Sequence, residues 1–134
     1  MAAQSRVAAV TGANKGIGLA IVRNLALQYP SSSFHAGPLL IYLTARSAER
    51  GAEAVNTLNN DPQLKKAKVL AQDGGDTTIK FRELDISNTK SIHEFADFLK
   101  TEQPDGIDMV TNNAGIAMQG FGNFSWCPYI SRLG

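Results

Sequence analysis

Residues 8–21, "AAVTGANKGIGLAI", pass from a short apolar run through three glycines and straight back into apolar residues. Residues 6–11 read as a brief strand. From about Ile17 to Gln28, Ile17, Ile21 and Leu25, joined by Ala20 and Val22, recur at helical spacing. A glycine-rich turn that leaves a strand and opens a helix suits a phosphate group. The first helical N–H groups lack internal partners, and the helix dipole makes that end positive. Glycine allows both the tight turn and a close approach to the backbone. The spacing Gly12, Gly16, Gly18 is neither G-x-G-x-x-G nor a Walker loop, so the residues alone also fit a ligand-free turn.

The same alternation continues down the chain. Pro30 and the serines after it end the first helix and open a loop to Pro38. "LLIYLTA" at 39–45 is apolar on both faces, whereas "IKFRELDI" at 79–86 alternates apolar and polar residues. The first pattern predicts a central strand covered on both sides, and the second predicts an edge strand within residues 77–86. Ser47 is a plausible N-cap for a helix reaching about Leu58, and a polar loop follows. Ser87 or Asn88 can cap another helix to about Thr101, with Ile92, Phe95, Ala96 and Leu99 on one face. "IDMVTNN" supplies a fourth strand. Strand–helix alternation implies right-handed parallel crossovers and a doubly wound α/β sheet of the Rossmann type. An edge third strand fits the order 3-2-1-4.

Composition narrows the function classes. The 134 residues make one domain at most, with 43% hydrophobic and 19% charged residues, an ordinary soluble balance. A net charge of +1 gives no electrostatic reason to expect nucleic acid or an anionic membrane surface. Cys127 is the one cysteine, so no internal disulfide forms; no run approaches the length of a membrane span, and the N-terminal "MAAQSRVAAV" has no apolar core long enough for a signal peptide. A cytoplasmic location is the expectation. His35 and His93 have no second ligand at metal spacing and read as surface residues, so no metal site is expected.

"TGANKGIG" together with "NNAG" at 112–115 resembles the short-chain dehydrogenase/reductase family, which carries T-G-x-x-x-G-x-G and N-N-A-G after its first and fourth strands. "LTARSAERGAEAV", "FRELDIS", "SIHEFADFLKTE" and "NNAGIAM" look further like its carbonyl reductase branch. The resemblance covers roughly residues 5–121. It divides the chain into a nucleotide-binding Rossmann half-domain at 1–121 and a divergent tail at 122–134.

The resemblance implies a dinucleotide cofactor. NAD-binding domains tend to place an acidic residue at the end of the second strand, hydrogen-bonded to the adenosine ribose. Here Arg46 stands there and Lys15 sits in the glycine loop, so NADP(H), whose 2′-phosphate attracts cations, is the expected cofactor. Gly12, Gly16, Ile17 and Gly18 would line the pyrophosphate, with Asn14 bracing the loop. Asp85 would accept from the adenine amino group, Ile86 would offer backbone N–H, and Asn112 would lie beside the adenosine ribose. Without the resemblance, Lys15 and Arg46 also fit solvated surface charges, and Asp85 a turn or capping residue. Asn112 and Asn113 likewise fit a role tying adjacent strands.

Members of this family reduce carbonyls with a Ser, a Tyr and a Lys four residues after the Tyr, supported by an Asn, all beyond the fourth strand. The Lys lowers the Tyr pKa so that the phenol can exchange a proton near neutral pH. In the tail, Leu133 stands four residues after Tyr129, Ser125 is too close to it, and Pro128 interrupts any helix there. The expectation is therefore a truncated nucleotide-binding half with no catalytic residues, inactive alone. Hydride transfer to a ketone, aldehyde or quinone would need the missing half. A non-catalytic NADP-binding or subunit-pairing module, and a non-functional truncated product, are the alternatives. Ending soon after "IDMV" would leave an open apolar sheet edge available for self-association.

Overall fold

The structure, a computed structural model, describes residues 5–115. The tail residues Phe124, Ser125, Trp126, Cys127, Pro128 and Tyr129 lie outside the described residues. Four strands, β1 (Arg6–Val10), β2 (Leu39–Ala45), β3 (Thr77–Glu83) and β4 (Met109–Thr111), form one parallel sheet in the order β3-β2-β1-β4. This is the expected Rossmann-type order. Four helices connect them: α1 (Gly16–Gln28), α2 (Ala48–Asn59), α3 (Pro62–Ala67) and α4 (Thr89–Glu102).

Strand periodicity divides the core into two layers. Ala8 and Val10 of β1 and Ile41 and Leu43 of β2 face one side, where Val22 and Ala26 of α1 and Ala54 and Leu58 of α2 pack on them. Val7, Ala9 and Tyr42 face the other side and meet Phe95, Phe98 and Leu99 of α4. Register pairs Ala9 with Tyr42 and Val10 with both Leu43 and Thr111, so side chains of like parity share a face. β2 is buried along its length except for half-buried Leu40, as a central strand must be, whereas Lys80, Arg82 and Glu83 of β3 are exposed. Arg82 lays its guanidinium over the Phe98 ring at 3.6 Å, covering the apolar margin of that edge strand.

Two expectations are corrected. The polar stretch after α2 is not simply a loop. Asp61 accepts from the backbone of Gln63 and Leu64, Pro62 occupies the first turn, and α3 follows, with Leu64 fully buried. Asp61 also lies 2.8 Å from Arg23 Nε on α1, a charge contact that falls short of an aligned hydrogen bond. The helix cap and the ion pair together tie α3 to α1. The second correction concerns Ile92, which is 42% exposed. α4 meets the sheet through Phe95, Phe98 and Leu99, and its first turn projects past the apolar surface. Asn88 rather than Ser87 caps this helix, accepting from Lys90 and Ser91. β4 is an edge of the described sheet, with Val110 55% exposed.

Candidate functional site

All four strands run the same way, so the segments after them gather along one margin of the sheet. The order reverses between β2 and β4 on either side of β1, the topological position at which open α/β sheets bind ligands. A cavity of about 470 Å³ opens there. Gly12, Asn14 and Lys15 line it after β1, Ala45 to Ser47 after β2, Leu84 to Ser87 after β3, and Ala114 and Gly115 after β4. Arg50 reaches it from the first turn of α2.

Thr11 and Asn113 hold the glycine loop against the segment after β4. Thr11 Oγ1 accepts from the backbone N–H of Asn113 at 3.0 Å and of Ala114 at 2.9 Å. Asn113 Nδ2 donates to the carbonyls of Thr11 and Gly12, both at 3.1 Å. The approach is close enough to dictate residue type. Gly12 has φ +60°, and a Cβ there would stand 2.9 Å from Ala114 Cα. Gly18 is buried, and a Cβ on it would run into the Gly12 carbonyl and Asn113 Nδ2. Gly16, by contrast, has φ +61° with nothing within 4 Å of a would-be Cβ. Its requirement is purely conformational.

The charge distribution is one-sided. The α1 N-cap is Lys15, which makes no side-chain cap bond, and the first turn of α1 carries no acidic residue. The other three described α-helices are capped by Ser47, Asp61 and Asn88. A cap typically contributes about 1 kcal/mol, so the bare α1 terminus leaves its N–H groups free for an anion. Lys15, Arg46 and Arg50 are exposed along the cavity, and none joins an ion pair with another described residue. Asp85 is the one carboxylate in the lining. The Ser87 hydroxyl, then the Ser87 N–H, hold its carboxyl below the ordinary value; partial burial opposes them, and Arg46 adds a weaker lowering pull.

Of the ten residues expected to bind a dinucleotide, Gly12, Asn14, Lys15, Arg46, Asp85 and Ile86 line this cavity. Gly16, Ile17, Gly18 and Asn112 do not. Ile17 is 74% exposed at the start of α1, Gly18 is packed beneath the loop, and Asn112 is exposed. Sequence reasoning missed Ser47, Arg50 and Ser87 in the lining; the strand-tying role that Asn113 fits is the one it takes here, with Thr11 as the partner the sequence did not indicate. The available signal for Arg50 was its place four residues after Arg46, just beyond the Ser47 cap. Among the described residues, no group of three or more His, Cys, Asp or Glu could hold a metal, and no helix is long and apolar enough to cross a membrane.

Comparison with known proteins agrees with this geometry. The short chain dehydrogenase family model matches residues 6–127. Carbonyl reductase (NADPH) 1 of Sus scrofa is 40% identical over 119 residues, covering 89% of this chain and 33% of the relative. Carbonyl reductase (NADPH) 3 of Rattus norvegicus is also 40% identical over 119 residues, covering 89% and 35%. The chain thus spans about a third of the length of these relatives. Menthone neomenthol reductase from Mentha piperita superposes with a TM-score of 0.61 at 32% identity, over 85% of this chain and 33% of that one. L-sorbose reductase from Gluconobacter frateurii, solved with NADPH and L-sorbose, shares the fold at a TM-score of 0.59 and 22% identity, over 87% and 35%. With a family match across most of its residues and that family's two motif segments locked together at the switch point, this chain belongs to the short chain dehydrogenase family.

Proposed function

We propose that this chain provides the NADP(H)-holding portion of a carbonyl reductase-like oxidoreductase. The observation that carries the reading is the convergence of Lys15, Arg46 and Arg50 on a cavity beside the uncapped start of α1. A helix N-terminus suits the diphosphate bridge, and three cations suit the 2′-phosphate that distinguishes NADP from NAD. The relatives named for NADPH support the same choice. Gly12, Gly16, Ile17 and Gly18 form or support the diphosphate turn, with Asn14 bracing it. Asp85 and Ile86 take the adenine amino group and ring edge, and Asn112 lies toward the adenosine ribose. When bound, the dinucleotide supplies a hydride for a ketone, aldehyde or quinone carbonyl.

A second reading, cofactor holding without catalysis by residues 1–134 alone, is favoured by one observation. Tyr29, Tyr42 and Tyr129 are followed four residues later by Ser33, Arg46 and Leu133, never by lysine. A positioned proton donor typically contributes 10²–10⁴-fold to such a reaction. The two readings are compatible, and one preparation tests both. Titrated by nucleotide fluorescence, the chain should bind NADPH roughly tenfold or more tightly than NADH, since a charge-assisted contact contributes on the order of 1.5–3 kcal/mol. With a quinone acceptor it should oxidise no NADPH above the uncatalysed rate. Equal affinity for the two nucleotides would remove the 2′-phosphate reading, and sustained turnover would show that a proton donor has gone unrecognised.

A further inference from the structure

Asp85 is held more tightly than an exposed acid after a strand requires. Ser87 donates to its Oδ1 twice, from the hydroxyl at 2.6 Å and from the backbone N–H at 3.0 Å. The Asp85 N–H donates to Ser91 Oγ at 2.9 Å, and its carbonyl accepts from Asn88 N at 3.0 Å. Leu84, immediately before it, donates to the Ala45 carbonyl at 2.9 Å. The backbone of Asp85 is thereby anchored to β2 and to the first turn of α4. The side chain is fixed by Ser87 alone, and Ser87 lines the same cavity.

We propose that Ser87 is a positioning residue for Asp85: by engaging Oδ1 it sets the carboxylate's orientation and leaves Oδ2 to accept from the exocyclic amino group of adenine. This rests on the reading of Asp85 as the adenine acceptor. A carboxylate that is ionised and already oriented forgoes the rotamer freedom it would otherwise lose on binding. The charged groups around it are consistent with that state. Lys15, Arg46 and Arg50 line the cavity from the β1 and β2 sides, and on α4 Lys90 pairs with Glu94 at 3.9 Å. The Ser87 bonds favour the ionised form, so the acceptor persists further into acid than a free aspartate would. Adenine is common to NADPH and NADH, so the effect of Ser87 is the same for both. In this it differs from the cations that read the 2′-phosphate.

The test uses Ser87→Ala, Ser87→Thr and Asp85→Ala, each checked for folding by circular dichroism. In the nucleotide-free protein, the Asp85 carboxyl carbon should titrate at higher pH in Ser87→Ala than in wild type, and Ser87→Thr should restore it. Ser87→Ala should weaken NADPH and NADH by the same factor, roughly three- to tenfold. As pH falls, its binding should fail earlier than that of wild type. Combined with Asp85→Ala, it should add no further loss. If Asp85→Ala weakens binding but Ser87→Ala does not, or if the Ser87→Ala loss persists without Asp85, the positioning role is overturned while the adenine reading stands. If Asp85→Ala leaves affinity unchanged, the adenine reading itself falls.

Discussion

Gly12→Val is expected to destabilise the fold on the order of 3–5 kcal/mol and to abolish dinucleotide binding with it. Two costs fall on one residue. At φ +60° a β-branched side chain is strained whatever surrounds it, and its Cβ would lie 2.9 Å from the Cα of Ala114. That neighbour is backbone and cannot rotate away. It is held in place by Thr11 Oγ1, which accepts from Asn113 and Ala114 at 3.0 and 2.9 Å. Relief therefore requires breaking the lock between the glycine loop and the segment after β4. A typical domain has only about 5–15 kcal/mol of stability to lose. Gly16→Ala is the control: its φ is +61°, but nothing lies within 4 Å, so the cost should be about 1 kcal/mol. Urea denaturation of the three proteins measures the difference. A Gly12→Val protein as stable as wild type would mean that the loop and the residue 112–115 segment are not packed as described.

Arg46→Asp should reverse nucleotide preference while leaving stability within about 0.5 kcal/mol of wild type. Arg46 is exposed, joins no ion pair among the described residues, and lines the cavity between β2 and α2. Removing one charge-assisted contact costs about 1.5–3 kcal/mol, and an aspartate adds repulsion toward a 2′-phosphate. NADPH affinity should fall roughly 10- to 100-fold, with NADH equal or improved, because an acid there can accept from ribose hydroxyls. Arg50→Ala should lower NADPH affinity by a smaller factor in the same direction. Both effects should shrink as salt rises, since these charges face solvent. Unchanged preference in Arg46→Asp would take Arg46 out of the site.

Much of the fold follows from local pattern. Continuous apolar character in "LLIYLTA" and alternation in "IKFRELDI" place β2 inside and β3 at the edge, and with them the order 3-2-1-4. α3 escaped because six residues are too few for a helical period to register, although the Asp61–Pro62 pair is a start signal. Ile92 was misplaced for another reason. Periodicity assigns a helix face, not the point along the helix where the sheet beneath it ends. In the site, Lys15 and Arg46 were readable from their chain positions in the glycine loop and at the end of the second strand, and Asp85 only through the family resemblance. Arg50 and Ser87 were not, because which residues beyond β2 and β3 face the cavity is set by how the parallel strands bring those segments together. The Thr11–Asn113 lock joins residues 102 apart, and only the β1–β4 pairing makes it.

NADP(H) is proposed to sit on the margin of the sheet where β1, β2, β3 and β4 end. Amide chemical-shift mapping of the isotope-labelled chain with NADPH tests it most directly. Saturable shifts should concentrate in residues 12–18, 46–50, 84–87 and 112–115. The segments at 29–38 and 62–76, which lead into the opposite ends of β2 and β3, should stay unchanged. The same titration with NADH should shift residues 84–87 but barely touch Arg46 and Arg50. Shifts centred on those opposite segments, or none that saturate, would rule out this placement of the nucleotide.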